Sequence, residues 1–220
     1  MKRLYYLCLV SLVVGTLHAA DTITMADLPY FFDFEDQTEM SNWTLNKGAT
    51  TANKWHVGAY DAYTGQYSMY VSCDSGKTNT YTGTSNIVVA YRPVRLDAGE
   101  YDIAFDYKGE GNGNNGFLKI FLTNRPEKSI KCLASFSEPT WYSSAVNCLN
   151  KIQKLNGATK WLHYQDKFTF PAAYDNKDMF LVLAWENNSS KVDYSSIMLD
   201  NLQIAKKPSN NSYPNNVYVS

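Results

Sequence analysis

Alternation of apolar and polar residues predicts β-strands along most of the chain. The clearest case is residues 101–108, where every second side chain is aromatic or branched and the residues between are polar or small. This period of two is typical of a half-buried strand. Further strands are predicted at 30–36, 54–58, 65–72, 87–91, 117–123, 161–170, 179–185 and 197–204. Residues 179–185 are apolar on both faces, which indicates a central strand.

Turn residues separate these strands, and no segment of helix length shows a period of 3.6 residues. Arg92-Pro93 interrupts one apolar run, and residues 124–160 are the least regular part of the chain. The chain holds 17 Tyr, 5 Trp and 10 Phe, and aromatic side chains are enriched in strands. The sequence therefore predicts an all-β fold, a sandwich or a barrel. The formal net charge of −1 predicts no binding to nucleic acid or to an anionic membrane.

The first twenty residues have the layout of a signal peptide. Lys2 and Arg3 precede an apolar stretch over 4–17, and Ala19-Ala20 offer small residues at a cleavage point. The stretch is shorter than the roughly 20 residues of a membrane span, so the sequence predicts export without a permanent anchor. We expect an N-terminal arm at 21–29, one domain at 30–205, and a linker at 206–220. That last segment could instead open a following module or form a disordered tail.

Cysteine usage leaves two alternatives open. Removal of the signal peptide takes away Cys8 and leaves Cys73, Cys132 and Cys148, an odd number for an exported protein. Cys132 and Cys148 could form a bridge. The other interpretation is three buried thiols that pack as small hydrophobes.

An ordered series of segments resembles the MAM-like jelly-roll domain of bacterial surface proteins, the cleaved-adhesin or choice-of-anchor J group. The series consists of residues 32–36, Trp43, 53–58, 65–72, 99–107, Trp161, 185–187 and 199–202. The resemblance covers roughly residues 30–205, and residues 124–160 depart from it. It implies a two-sheet antiparallel jelly-roll β-sandwich of the galactose-binding-like type, export to the cell surface, and a role in adhesion or carbohydrate binding.

The same resemblance implies a structural calcium ion between the first and last strands. Its ligands here would be Asp33, Glu35 and Asp200, since calcium prefers six to eight oxygen ligands. By simple alternation Asp200 shares a face with Met198, Leu202 and Ile204, where a bare carboxylate is costly. The alternative is that Asp200 accepts hydrogen bonds from neighbouring backbone amides.

Four aromatic residues are candidates for contact with a sugar, whose apolar faces stack on flat rings. Trp141 and Tyr142 lie in the irregular segment, and Tyr60 and Tyr63 lie in a turn-rich stretch. A few polar groups beside such rings complete a small-molecule site. The alternative is that these rings cover a sheet edge. The other tryptophans of the mature chain (Trp43, Trp55, Trp161 and Trp185) are assigned mainly to the core.

No catalytic arrangement is found in the sequence. Only His56 and His163 remain after the signal peptide, neither at a metal-binding spacing, and no nucleophile-elbow motif occurs. The sequence therefore predicts a non-catalytic adhesin-type module, secreted or on the cell surface, that binds an extracellular glycan or a surface protein. The alternatives are a structural spacer domain of a larger surface protein and an accessory module of a glycan-active enzyme.

Overall fold

The computed structural model describes residues 23–111, 115–124, 148–188 and 195–208. They form two packed antiparallel sheets, a jelly-roll β-sandwich, so the predicted fold class is confirmed. The strands are β1 (Tyr30–Phe32), β2 (Thr44–Leu45), β3 (Lys54–Gly58), β4 (Ser68–Ser72), β5 (Asn86–Leu96), β6 (Gly99–Gly109), β7 (Asn115–Thr123), β8 (Cys148–Leu155), β9 (Ala158–Phe170), β10 (Lys177–Asn187) and β11 (Met198–Lys206).

The six-stranded sheet has the order β3-β4-β11-β6-β9, and β1 pairs with β11 beyond the end of β4. The five-stranded sheet has the order β2-β5-β10-β7-β8. A four-residue helix, α1 (Gln37–Met40), follows β1 and is capped by the Asp36 side chain. A short 3₁₀ turn, Ala172–Tyr174, joins β9 to β10.

The inner faces of both sheets form the main core. Residues two apart along each strand point to the same face, so the alternation in β6 places Tyr101, Ile103, Phe105 and Tyr107 inside. Three of the tryptophans assigned to the core (Trp43, Trp55 and Trp185) are buried there. The outer face of the five-stranded sheet carries a second, smaller apolar cluster of Val89, Tyr91, Phe121, Val182 and Ala184. The predicted central strand is β10, which pairs on both sides.

Two strand predictions were wrong in detail. The interruption expected at Arg92-Pro93 is absent, because β5 continues to Leu96. The short β2 pairs with β5 only at Ala90 and Tyr91. On that same edge of β5, the Pro93 carbonyl accepts a hydrogen bond from the Ala26 N–H. The nitrogen of Pro93, which carries no hydrogen, faces the same edge. Proline is tolerated at such an edge. Within residues 124–160, β8 and the start of β9 are regular strands.

A buried ion pair connects α1 to β5. The Arg92 guanidinium donates from Nε and Nη2 to the two Glu39 carboxylate oxygens, at 2.7 and 3.1 Å. Tyr30 Oη and Asn42 Nδ2 also donate to Glu39. Burial alone would raise the pKa of Glu39, but the hydrogen bonds from Arg92, Tyr30 and Asn42 outweigh it and lower the pKa below its usual 4.5. The pair is therefore fully bonded, as a buried charge requires.

We expect Glu39→Gln to lower the free energy of unfolding by about 3 kcal/mol, because Arg92 is left buried without its counter-charge. Since the folded-state pKa of Glu39 lies below 4.5, the pair stabilises the protein above that pH and loses its effect as the pH falls. The wild type should thus lose stability on acidification more steeply than the variant. Urea unfolding from pH 3 to 7 measures both.

The control is Asp178→Asn, which breaks the exposed Arg95–Asp178 pair. Exposed pairs contribute little, so this change should cost less than about 1 kcal/mol. Equal losses for the two variants would contradict a special role for Glu39.

Candidate functional site

The loop between β3 and β4, residues 59–67, lies over the outer face of the six-stranded sheet. Its Tyr60 ring is 6.1 Å from the Tyr70 ring on β4, measured between centroids. Its Tyr63 ring is 6.0 Å from the Trp161 ring on β9. The loop therefore crosses from one side of the sheet to the other, over β11 and β6.

Asp200 on β11 holds the middle of this loop. Asp200 Oδ2 accepts hydrogen bonds from the backbone N–H groups of Tyr63 and Thr64, at 2.9 and 3.0 Å. Asp200 Oδ1 accepts from the Asn201 N–H at 2.8 Å. Asp200 therefore accepts hydrogen bonds from backbone amides, which was the alternative interpretation of this residue from the sequence.

The expectation that Asp200 shares a face with Leu202 and Ile204 was wrong, whereas Met198 lies outside the core cluster like Asp200. Asn201 has a φ of 51°, and the register between β11 and β6 shifts there, which is a β-bulge. The bulge places Leu199, Leu202 and Ile204 in the core and turns Asp200 to the outer face. There the loop buries the carboxyl completely, at 0% exposure.

Burial raises the pKa of Asp200 above its usual value, although the hydrogen bonds from Thr64, Asn201 and Tyr63 oppose the rise. The negative charge of Asp106 on the adjacent strand raises the pKa further. A buried carboxylate is costly unless it is bonded. The loop backbone supplies the bonds that make this position tolerable.

Glu35 binds the C-terminal end of the loop. Its Oε1 accepts from the N–H groups of Gln66 and Tyr67, at 2.7 and 2.6 Å. Gly65 has a φ of 65°, a conformation that favours glycine, and a Cβ there would collide with the Glu35 carboxylate. Glycine is thus required at this position for both reasons.

Two exposed tyrosines are displayed by the anchored loop. Tyr60 is 47% exposed and Tyr63 is 52% exposed, although the loop backbone on which they stand is fixed. Gly58 makes room below them, because a Cβ there would meet the Tyr70 hydroxyl. The structure therefore places both predicted sugar-contact residues on one rigid surface.

Trp161, assigned to the core from the sequence, lies elsewhere. It is half-buried and occupies the same side of β9 as His163, two residues on, beneath the Tyr63 ring. Its indole N–H has no hydrogen-bond partner within the described part of the chain. The core assignment rested on strand position and on the family resemblance, and neither reveals that a loop covers this outer face.

A polar cleft of about 380 Å³ opens beside Tyr60. Its lining is Tyr60, Asp61, Asn79, Lys108, Glu110, Thr159, Ser195 and Met198. The Lys108 ammonium donates to Asp61 Oδ2 at 2.7 Å. The N–H and hydroxyl of Ser195 each donate to Glu110 Oε2 at 3.3 Å. The cleft thus offers carboxylate, ammonium, amide and hydroxyl groups within one small volume.

A second polar group lies on the same face, between the cleft and the end of β9. Asp106 Oδ1 is 3.0 Å from His163 Nδ1, and Asp106 Oδ2 accepts from Asn201 Nδ2 at 2.9 Å. Thr64 Oγ1 donates to Asn201 Oδ1 at 3.0 Å. Asn201 therefore ties the loop to Asp106 as well as forming the bulge.

The predicted calcium ligands serve as hydrogen-bond acceptors in the structure. Asp33 Oδ1 accepts from the Glu35 N–H, Asp200 binds the middle of the loop, and Glu35 binds its C-terminal end. Among the described residues, no three or more His, Cys, Asp or Glu side chains form a group that could hold a metal ion. Calcium bound by Asp33, Glu35 and Asp200 stays a prediction.

Some sequence predictions fall outside the described residues. Trp141 and Tyr142 are among these, as are the signal peptide and the tail after residue 208. Cys73 is a half-buried free thiol, and the pairing of Cys132 with Cys148 stays a prediction. No helix within the described ranges is long and apolar enough to cross a membrane.

Comparison with known proteins gives fold-level similarity only. No family model matches the chain, and no curated protein matches it, so membership of the MAM-like group is not confirmed. A xylan-binding domain from carbohydrate-binding module family 22 is 15% identical, with a TM-score of 0.49, covering 80% of this chain and 93% of its own. The CBM22-2 xylan-binding domain of Paenibacillus barcinonensis Xyn10C is 17% identical, with a TM-score of 0.47 and coverages of 81% and 99%.

A third solved structure, TmCBM61 in complex with β-1,4-galactotriose, is 16% identical, with a TM-score of 0.44 and coverages of 77% and 91%. All three TM-scores are below 0.5. These similarities assign neither a family nor a ligand to this chain.

We expect Asp200→Ala to loosen the loop while the sandwich stays folded. Hydrogen bonds to a charged acceptor contribute roughly 2 kcal/mol, so the Tyr63 and Thr64 amides should lose about 30-fold in hydrogen-exchange protection. Amide exchange followed by NMR measures this. Asp178→Ala, on the other sheet, is the control, and unchanged protection at both amides would contradict the anchoring role of Asp200.

Proposed function

We propose that this protein is a non-catalytic carbohydrate-binding module of an exported or cell-surface protein. The observation that supports the proposal is the pair of exposed tyrosines, Tyr60 and Tyr63, on a rigid loop next to a polar cleft. Sugars present apolar C–H faces to flat rings and hydroxyl groups to polar side chains. This surface offers both within the span of one loop and two strands.

Rigidity of the loop is the second support. Isolated exposed aromatics are ordinary on protein surfaces, and two tyrosines alone would carry little weight. Here a buried carboxylate, Asp200, and a second carboxylate, Glu35, both bind the backbone of the segment that displays them. Because immobilising side chains and loops on binding costs free energy, a pre-ordered loop favours ligand binding.

The cleft supplies the polar half of the site. Sugar hydroxyls can donate to Glu110 and can accept from Lys108, whose ammonium group has N–H donors beyond the one bonded to Asp61. Carboxylates and amides are planar groups that can bond adjacent hydroxyls in pairs. A spacer domain has no need of such a group of side chains, so the cleft favours a binding function.

Hydrolysis is the second candidate, because Asp61 and Glu110 both line the cleft. A glycosidase needs two carboxylates facing one bond. In this cleft the Asp61 carboxylate is engaged by Lys108 and the Glu110 carboxylate by Ser195. We therefore propose binding without catalysis, and a reducing-sugar assay on every bound glycan tests that choice.

We expect Tyr60→Ala and Tyr63→Ala each to weaken glycan binding about fivefold to thirtyfold, because each removes a stacking ring. Stacking on an aromatic ring contributes on the order of 1–2 kcal/mol. Residues 21–220 are screened on a glycan array, and the affinities of the bound glycans are then measured by calorimetry. Phe31→Ala is the matched control, since Phe31 is also an exposed ring, at 56%, but lies on β1 at another edge.

An array that stays blank with folded protein would overturn the carbohydrate proposal and favour a spacer or a protein-binding adhesin. Equal losses for Phe31→Ala and Tyr60→Ala would place the site elsewhere. Repeating the array with chelator tests the calcium prediction, and Trp141→Ala and Tyr142→Ala test the remaining two predicted contacts.

A further inference from the structure

The cleft beside Tyr60 holds one basic side chain among its described lining residues, and that side chain is already paired. Lys108 Nζ lies 2.7 Å from Asp61 Oδ2, and both side chains are about one-third exposed, 30% and 33%. The Asp61 backbone carbonyl accepts from the Ser68 hydroxyl at 2.5 Å. The position of Asp61 is thus fixed by the loop and does not depend on Lys108 alone.

The surroundings of this pair are acidic. Glu110 lines the same cleft. Asp106 is two residues before Lys108 and faces the same side of β6, and Asp200 lies opposite Asp106 in the register of β11. On the other side, His163 Nδ1 lies 3.0 Å from Asp106 Oδ1.

Once Asp61 neutralises Lys108, the net charge that remains among the described lining residues of the cleft is that of a carboxylate, Glu110. A narrow cleft with low-dielectric walls concentrates the field of such groups. An anionic ligand gains affinity when an ammonium or guanidinium group is free to bind it. The positive charge of Lys108 is already neutralised by Asp61, and a second negative charge beside Glu110 would be repelled.

We infer that Asp61 determines specificity: it makes the site accept neutral glycans and reject glycans that carry carboxylates. This inference rests on the carbohydrate-binding function proposed above and names the ligand class of the same cleft. The Asp61 carboxylate and a carboxylate of the ligand compete for the one Lys108 ammonium group. Either Asp61 or a sugar carboxylate can pair with Lys108. Asp61 has the advantage, because it belongs to the same chain and its backbone carbonyl is hydrogen-bonded to Ser68.

Asp61→Asn is the decisive variant. It removes one negative charge and keeps the size of the side chain, so the Lys108 ammonium becomes available to a ligand. The probes are oligosaccharides matched in length and linkage that differ only at C6, a hydroxymethyl group in one and a carboxylate in the other: galactose with galacturonate, mannose with mannuronate, and glucose with glucuronate oligomers. Affinities are measured by calorimetry at two salt concentrations, since charge effects weaken with ionic strength.

We expect the wild type to bind at least one neutral oligomer and to bind its acidic counterpart at least tenfold more weakly. Asp61→Asn should raise affinity for the acidic oligomer at least tenfold and change affinity for the neutral one less than about threefold. Adding Lys108→Met to Asp61→Asn should abolish the gain. Asp178→Asn, the same charge change on the other sheet, should leave both affinities unchanged.

The outcomes separate the two proposals. Equal or tighter binding of acidic oligomers by the wild type overturns the inference and leaves carbohydrate binding intact. If the wild type prefers neutral oligomers but Asp61→Asn shows no higher affinity for acidic ones, the role of Asp61 is overturned. Absence of binding to every oligomer and to the glycan array, with folded protein, overturns the proposed function itself.

Discussion

The burial of one carboxyl group, that of Asp200, determines the architecture of the candidate site. A carboxylate removed from water must be hydrogen-bonded, and the outer face of β11 offers few donors. The N–H groups of Tyr63 and Thr64 supply them, from a segment 137 and 136 residues earlier in the chain. The last strand thus fixes the conformation of an early loop. The loop in turn shields Asp200 from water, so neither arrangement is stable without the other.

The second buried charge, Arg92, shows the same principle at a different place in the fold. Arg92 and Glu39 satisfy each other and the groups around them, which stabilises the position of α1 against β5. In some proteins, buried ion pairs contribute more to the uniqueness of the folded structure than to its net free energy of unfolding. Here one such pair fixes the end of the sandwich where the N-terminal segment enters. The Asp200 contacts fix the loop that displays the tyrosines.

Strand alternation predicted most of the fold from the sequence, because each half-buried strand has one apolar face. It failed where one residue changed the face or where a loop covered it. The bulge at Asn201 separated Leu202 and Ile204 from the face of Asp200, since a shift of one residue moves every later side chain to the opposite side. Asparagine tolerates the left-handed conformation better than most residues, so Asp200-Asn201 carried a weak signal for it. Trp161 was assigned to the core from its strand position and the family resemblance, and no sequence pattern reveals a loop that folds over an outer face.

The candidate site was predicted only in part, for a related reason. Tyr60 and Tyr63 stood out as aromatics in a turn-rich stretch. Asp61, Asn79, Lys108 and Glu110 did not, because the loop after β3, the segment after β4 and the end of β6 bring them together only in the folded chain. The Lys108–Asp61 pair joins residues 47 positions apart. A local sequence pattern cannot predict a contact between residues so far apart in the chain.

The loop therefore determines the chemistry of this surface more than the sheet does. A sheet face presents side chains in a regular array, which the five-stranded sheet fills with apolar residues such as Val182 and Ala184. The six-stranded sheet instead places Asp106, Lys108 and Asp200 on its outer face, all beneath or beside the loop. Only a segment that crosses several strands can set a flat ring beside such groups and close one wall of a cleft. Changes in residues 59–67 should thus alter ligand selectivity without disturbing the core, because the core side chains lie on the opposite face of the same strands.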